Sequence, residues 1–139
     1  MTTPYQDRPL PGPMLDTSTT PFFEAAKEGR LMIARCTQCR QPHWYPRPLC
    51  PYCLGDTAWE TASGRGTVYS YSVARRMGPV PYAMAYVRLE EGVTMLTNIV
   101  DADLDTIHID QPVEVTFKPM EDGWMMPMFR PVEGQTDAA

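Results

Sequence analysis

Cys36 and Cys39 are separated by two residues, as are Cys50 and Cys53, and these are all the cysteines of the 139-residue chain. Each Cys-x-x-Cys is a knuckle that turns two sulfurs toward one point. Two knuckles with ten residues between them complete the four-sulfur shell of a structural zinc site. Two disulfides would instead suit a secreted protein, but Met1 runs into the polar, proline-rich Thr2–Asp7 rather than a charged-then-apolar signal region. A redox Cys-x-x-Cys needs a strand–helix setting, whereas the second pair sits among prolines in Arg47-Pro48-Leu49-Cys50-Pro51. We therefore expect a structural zinc on Cys36, Cys39, Cys50 and Cys53. Four thiolates close the shell, so neither an open metal position nor a nucleophilic thiol remains. His43, between the knuckles, is expected to be a surface or hydrogen-bonding residue rather than a substitute ligand.

The other reactive side chains assemble no nucleophile, base and orienting group, and no turnover by this chain alone is expected. His108 alternates with Ile107 and Ile109, as an outward residue of a β segment does. Asp101, Asp103 and Asp105 lack a calcium loop's glycine and distal glutamate at the required spacing and read as a solvated acidic turn. Gly64-Arg65-Gly66 carries too little of a phosphate-binding fingerprint and reads as a flexible join. Arg30, Arg35, Arg40, Arg47, Arg65, Arg75 and Arg76 crowd the first part of the chain. They form either a solvated basic face or a patch for a phosphate-bearing ligand or acidic partner.

Net charge is −5, unevenly spread. Residues 1–76 hold nine Lys/Arg against six Asp/Glu, and residues 77–139 hold three against eleven. A nucleic-acid binder needs a positive groove, and the acidic half is the half rich in strand patterns. No apolar run approaches the roughly 20 residues of a membrane span. With neither a span nor a signal, a cytoplasmic location is expected.

These residues must be positioned by a mainly β fold. Residues 1–20, with four prolines and little apolar matter, cannot fold alone and are expected to be disordered or laid across a partner. A two-turn helix follows, with Thr20 as N-cap, Pro21 at its first position, Glu24 in its first turn and Gly29 as its stop. Such a helix is too short to stand alone. Phe22, Phe23 and Ala26 must dock on something, and a partner protein is the cover we expect for the two phenylalanines. Leu31–Arg35, Trp44-Tyr45-Pro46 and Ala58-Trp59-Glu60 are the predicted strands of a rubredoxin-like ribbon within residues 21–62. Thr67–Arg75, Tyr82–Leu89, Met95–Val100, Val113–Phe117 and Met125–Phe129 are five predicted strands within residues 63–132, the scale of an OB-type barrel. Residues 133–139 read as a C-terminal tail. Tyr69 and Tyr71 share one strand face, Tyr82 and Tyr86 another, with small residues opposite. The tyrosines either complete the core or line a ligand groove or interface. Met125, Met126 and Met128 are either core filler or an adaptable contact for an apolar chain.

The order of these features carries a resemblance. A Phe-Phe-Glu helix with Glu28-Gly29-Arg30 precedes the four-cysteine ribbon with Tyr45-Pro46-Arg47-Pro48. Then come Ser63-Gly64-Arg65-Gly66-Thr67-Val68-Tyr69-Ser70-Tyr71, Glu91-Gly92, Pro112-Val113-Glu114-Val115 and Phe129-Arg130-Pro131. From about Phe22 to Pro131 the chain resembles the family of small proteins that join a rubredoxin-like zinc ribbon to an OB-fold and are associated with acyl-CoA enzymes. The resemblance implies a non-catalytic subunit of a thiolase-like enzyme in lipid, steroid side-chain, aromatic-acid or polyketide metabolism, working as a hetero-oligomer. Helix and ribbon are then expected to grip the catalytic subunit, and the barrel to help enclose the CoA ester. Arg47, Arg75 and Arg76 are the candidate contacts for the CoA phosphates, and Tyr69 and Tyr71 for the pantetheine or acyl portion. Two alternatives are a partner of an enoyl-CoA hydratase and a stand-alone single-stranded nucleic-acid module using stacked tyrosines. The charge balance speaks against the second, so no nucleic acid is expected.

Overall fold

The computed structural model describes residues 2–45, 47–76 and 78–132 of the chain. Its elements run α1 (Thr20–Lys27), β1 (Met32–Cys36), β2 (Pro42–His43), β3 (Thr57–Thr61), β4 (Arg65–Ala74), β5 (Tyr82–Leu89), β6 (Thr94–Ile99), β7 (Pro112–Pro119) and β8 (Met125–Pro131). Two further 3-10 turns lie at Leu104–Thr106 and Glu121–Gly123. Pro46, assigned from sequence to a ribbon strand, and the tail at 133–139 lie outside the described residues. No helix among the described residues is long and apolar enough to cross a membrane.

Helix α1 starts one residue earlier than predicted. Thr19 is the N-cap, its hydroxyl makes no capping bond, and Glu24 falls beyond the first turn. The turn before the helix is organised by Asp16, whose carboxylate accepts from the Ser18 and Thr19 amides at 2.8 and 3.0 Å. The end is as predicted. Gly29 has φ +81°, and the Gly29 and Arg30 amides donate to Ala26 and Ala25 carbonyls, both at 3.0 Å, the Schellman arrangement that glycine permits.

Phe22 and Phe23 are 3% and 6% exposed, so the chain itself covers them and no partner is required. Phe22 packs on Trp44 at 4.6 Å between ring centres and edge-on to Phe23 at 5.1 Å. The two rings belong to one core that runs from Leu31 and Ile33 of the ribbon to Val68, Val87, Ile99 and Phe129 of the barrel. Burial of that shared apolar surface is what holds a two-turn helix in place.

The ribbon is a three-stranded antiparallel sheet in the order β2-β1-β3. Trp44 and Tyr45 fall just beyond β2 and contribute side chains rather than strand. In the barrel the strands close in the order β4-β5-β6-β8-β7. The interior is narrow, so small and branched residues point in. On β5 buried Ala83, Ala85, Val87 and Leu89 alternate with exposed Met84, Tyr86 and Arg88. The tyrosine faces follow from this, since Tyr69, Tyr71 and Tyr86 are all exposed and do not complete the core. A bulge between Val68 and Ser70 also divides Tyr69 from Tyr71. Beyond the bulge Ser70 stands opposite Tyr86, and Tyr71 opposite Ala85. Gly66 is no flexible join. It lies within β4, and a Cβ there would stand 2.4 Å from the Arg88 carbonyl oxygen. Ile107 is buried and Ile109 exposed, in a loop rather than a strand, so the alternation read around His108 is absent.

The N-terminal arm crosses the protein's own barrel. Pro4 bridges Asp103, the Tyr5 amide donates to the Ala102 carbonyl at 3.2 Å, and the Glu121 amide donates to the Leu10 carbonyl at 3.1 Å. The acidic turn read at residues 101–105 is the arm's anchor. Asp103 accepts from the Thr3 amide at 2.9 Å, Asp105 from the Thr3 hydroxyl at 2.8 Å, and Asp101 pairs with Lys118 at 2.6 Å.

Candidate functional site

Cys36 ends β1 and Cys39 lies in the turn after it, and the loop before β3 carries Cys50 and Cys53. Sheet pairing of Cys36 with Thr57 and the Thr37 amide's bond to the Asp56 carbonyl at 2.9 Å bring the knuckles face to face. All four Sγ atoms lie within 4.8 Å of one another, with Cys36–Cys53 at 3.4 Å and Cys39–Cys50 at 3.7 Å. Tetrahedral Zn–S bonds of about 2.3 Å place sulfurs about 3.8 Å apart, so the cluster fits zinc closely. Backbone amides of Gln38 and Cys39 donate to Cys36 Sγ, and that of Tyr52 to Cys50 Sγ, each at 3.3 Å.

Without a metal, Cys36 and Cys39 are driven in opposite directions. Burial opposes ionisation of Cys36, but the Cys39 and Gln38 amides outweigh it and bring that thiol down to about 6. At Cys39 the Gln41 amide pulls down, yet burial and the three neighbouring thiols push it up to about 12. A dication at the centre removes that conflict, because each thiolate then faces a positive charge. His43 is not a ligand in this arrangement, does not lie on the surface, and its ring makes no hydrogen bond among the described residues. It is 3% exposed, and both ring nitrogens are without a partner among the described residues. Burial, then the Arg47 charge, hold its basicity below the usual histidine range.

Beside the ribbon lies a groove of about 820 Å³. Arm residues from Arg8 to Met14 form one wall, Phe22, Phe23, Trp44 and Tyr45 a second, and residues of β5, β6 and β8 the floor. Arg8 is the charged residue of the lining among the described residues, its guanidinium 4.5 Å over the Tyr82 ring. Met84, Met95, Met120, Met126 and Met128 all reach it, with Tyr86, Leu96 and Thr97. The Thr97 hydroxyl is buried and has no hydrogen-bond partner among the described residues.

The structure does not gather the proposed CoA contacts at this groove. Tyr71 lines a neighbouring cleft of about 160 Å³ with Met84, Tyr86 and Leu96. Tyr69 is stacked under the Arg88 guanidinium at 4.7 Å. Arg75 is committed to Asp105 and to the Thr3 hydroxyl at 2.9 Å. Arg47 and Arg76 are exposed and make no ion pair among the described residues. Of the wider arginine set, Arg30, Arg35 and Arg65 pair with Glu28, Glu60 and Glu90. Met126 and Met128, undecided between core and contact, do both. Met128 is buried and both line the groove.

Sequence reasoning missed Arg8, because its segment was taken to have no place on the barrel. It also missed Thr97, although Met95-Leu96-Thr97-Asn98-Ile99 places that hydroxyl on the inward, apolar set of β6.

Comparison with known proteins agrees with this architecture part by part. Residues 23–60 match the family described as ChsH2, rubredoxin-like zinc ribbon domain, and residues 59–118 match ChsH2, C-terminal OB-fold domain. A probable enoyl-CoA hydratase alpha subunit of Thermomonospora curvata is 37% identical over 134 residues, 92% of this chain and 42% of that protein. This chain therefore spans less than half of that relative's length. A DUF35 domain-containing scaffold protein of Methanocaldococcus jannaschii is 35% identical over 102 residues, 67% of this chain and 72% of that one. Among solved structures, a chain of one described as an Ltp2-ChsH2(DUF35) aldolase superposes with a TM-score of 0.76 at 36% identity, covering 86% of this chain and 98% of its own. Ribbon, barrel and four-cysteine centre together mean that the chain belongs to the ChsH2/DUF35 family of zinc-ribbon and OB-fold proteins.

Proposed function

We propose that this protein is a non-catalytic accessory subunit of an acyl-CoA enzyme. Its catalytic partner is a thiolase-like subunit that makes or breaks a carbon–carbon bond next to a thioester. The zinc ribbon and helix stiffen one side of the chain, and the barrel supplies a surface that helps enclose and orient the CoA ester. Remote binding of that kind lowers the barrier by fixing the reacting carbonyl in position. The observation that carries the reading is the 36% identical chain of the aldolase structure, matched over 98% of its length. An open apolar groove walled by arm, ribbon and barrel supports it too.

Arg47 and Arg76 are the guanidinium groups offered to the CoA phosphates in this reading, since Arg forks match phosphate oxygens. Arg75 would join them by leaving Asp105, and Tyr69 and Tyr71 would flank the pantetheine. A second reading, partnership with an enoyl-CoA hydratase, is favoured by the name of the 37% identical Thermomonospora curvata protein.

The test is reconstitution. Thiolysis or aldol cleavage by the catalytic subunit is measured with and without this chain, and hydration of an enoyl-CoA by a hydratase subunit is measured in parallel. Stimulation of the first supports the proposal, and stimulation of the second alone supports the alternative. Full activity of the catalytic subunit by itself, with unchanged CoA-ester affinity, refutes an accessory role.

A further inference from the structure

We propose that the groove under the N-terminal arm is a binding site for the apolar acyl group of a CoA thioester, about eight carbons long or more. This deepens the accessory reading and rests on it for the identity of the thioester.

Four observations lead to this ligand class. The first is size. At about 820 Å³ the groove lies within the roughly 300–1,000 Å³ of small-molecule sites. The cleft beside Tyr71, about 160 Å³, has room for only about five waters at ~30 Å³ each. The second is the chemistry of the walls. Six methionines among the described residues line the groove, and unbranched thioethers mould to an apolar body without dictating its shape.

The third is the backbone that forms the floor. β6 and β8 run parallel and are registered through the pair Ile99–Phe129. Ahead of that pair Thr94–Asn98 and Met126–Met128 both line the groove, so the floor lies along both strands. The fourth is Thr97. It is 8% exposed, lines the groove, and its hydroxyl lacks a partner among the described residues. A buried unpaired hydroxyl is costly, and a ligand carbonyl or hydroxyl part-way along an apolar chain would pair it. Arg8, the one charge of the lining among the described residues, is too little for the phosphates of CoA, which stay outside while the acyl group enters.

The experiment is calorimetric titration of the zinc-loaded full chain with CoA, acetyl-CoA and octanoyl-CoA. Each buried methylene strengthens binding about fourfold. Of the six that octanoyl adds to acetyl, four buried would already give roughly 200-fold. The expected result is octanoyl-CoA at least 100-fold tighter than acetyl-CoA, with acetyl-CoA close to CoA. Leu96→Asp, at a side chain 54% exposed on the groove rim, should cut that ratio below about fivefold with melting unchanged. Thr97→Val, which keeps the shape, should weaken 3-oxooctanoyl-CoA by about tenfold and leave octanoyl-CoA nearly unaffected. Equal affinity for acetyl- and octanoyl-CoA, including no binding of either, overturns the groove assignment, as does a ratio that survives Leu96→Asp. Equal and tight binding of all three leaves the accessory reading standing. An octanoyl preference in a chain that does not alter its partner's turnover leaves the groove standing and removes the accessory reading.

Discussion

Phe22→Ala separates a core helix from a docking helix. Phe22 is 3% exposed and touches both Phe23 and Trp44. Removing the ring gives up about 100 Å² of buried apolar surface, or about 2.5 kcal/mol at ~25 cal/mol/Å². The two ring–ring contacts add about 1–2 kcal/mol. The sum, about 4 kcal/mol, falls in the range of roughly 3–5 kcal/mol for phenylalanine deletions in cores. Phe22 also lines the groove, so part of the space it leaves opens to solvent instead of forming a sealed void. We therefore expect the lower end, about 3 kcal/mol, and a fall in melting temperature of about 10 °C for a chain of this size. Urea unfolding at fixed zinc, followed by tryptophan fluorescence, measures it, and Phe22→Asp should be worse. If both variants unfold at the wild-type midpoint yet no longer bind the catalytic subunit, Phe22 is an interface side chain and the core argument is wrong.

The remaining predictions concern metal, backbone and arm. Metal analysis should find one zinc per chain, and Cys50→Ser should release it and loosen the ribbon, read as lost amide dispersion for residues 32–61. Zinc retention should also fall as pH falls, because ligand thiolates compete with protons. Gly66→Ala drives a methyl to 2.4 Å from the Arg88 carbonyl and should cost about 1–3 kcal/mol in urea unfolding. Asp105 is held below the usual carboxylate range first by Arg75 and then by Thr3. Its depressed folded-state value means that its contribution is present above the ordinary Asp range and is lost as pH falls through and below it. Protection factors of the Thr3 and Tyr5 amides should therefore fall in acid, and Asp105→Asn should bring the same loss of protection at neutral pH.

What the sequence made legible was what local pattern controls. Two Cys-x-x-Cys pairs specify a tetrahedral cluster whatever surrounds them, and five strand-like runs specify the barrel strands to within a few residues. Gly29 marked the helix end because only a left-handed residue completes that cap. The failures are non-local. The arm was illegible because its partners, Asp103, Asp105 and Lys118, lie about 100 residues away along the chain. Phe22 and Phe23 were assigned to a partner protein because nothing in a two-turn helix says that Trp44 will cover it. The bulge at Val68–Ser70 undid the alternation from which the Tyr69 and Tyr71 face was read, since one extra residue rotates everything beyond it. The polarity of His43 predicts the surface or a hydrogen bond, but its place in β2 opposite Ala34 buries it.

The single register pair between β6 and β8 has a kinetic consequence. The β7–β8 hairpin is held by seven pairs and the β5–β6 hairpin by six, all between strands that follow one another in the chain. Ring closure needs two seams between strands far apart in the chain, three pairs between β4 and β7 and, more sparsely, Ile99, Phe129 and the Val100 amide's bond to the Phe129 carbonyl at 2.8 Å between β6 and β8, a contact that repays its loop-closure entropy late. We expect this sparser β6–β8 seam to close after the β4–β7 seam. Substitutions at Ile99 or Phe129 should accordingly speed unfolding and leave the folding arm of a chevron almost unchanged. The Val100 amide should exchange with solvent through partial opening, ahead of amides in the middle of β5. A molecule lying in the groove next to that pair would slow the opening, so residence of a ligand and lifetime of the closed barrel become one quantity.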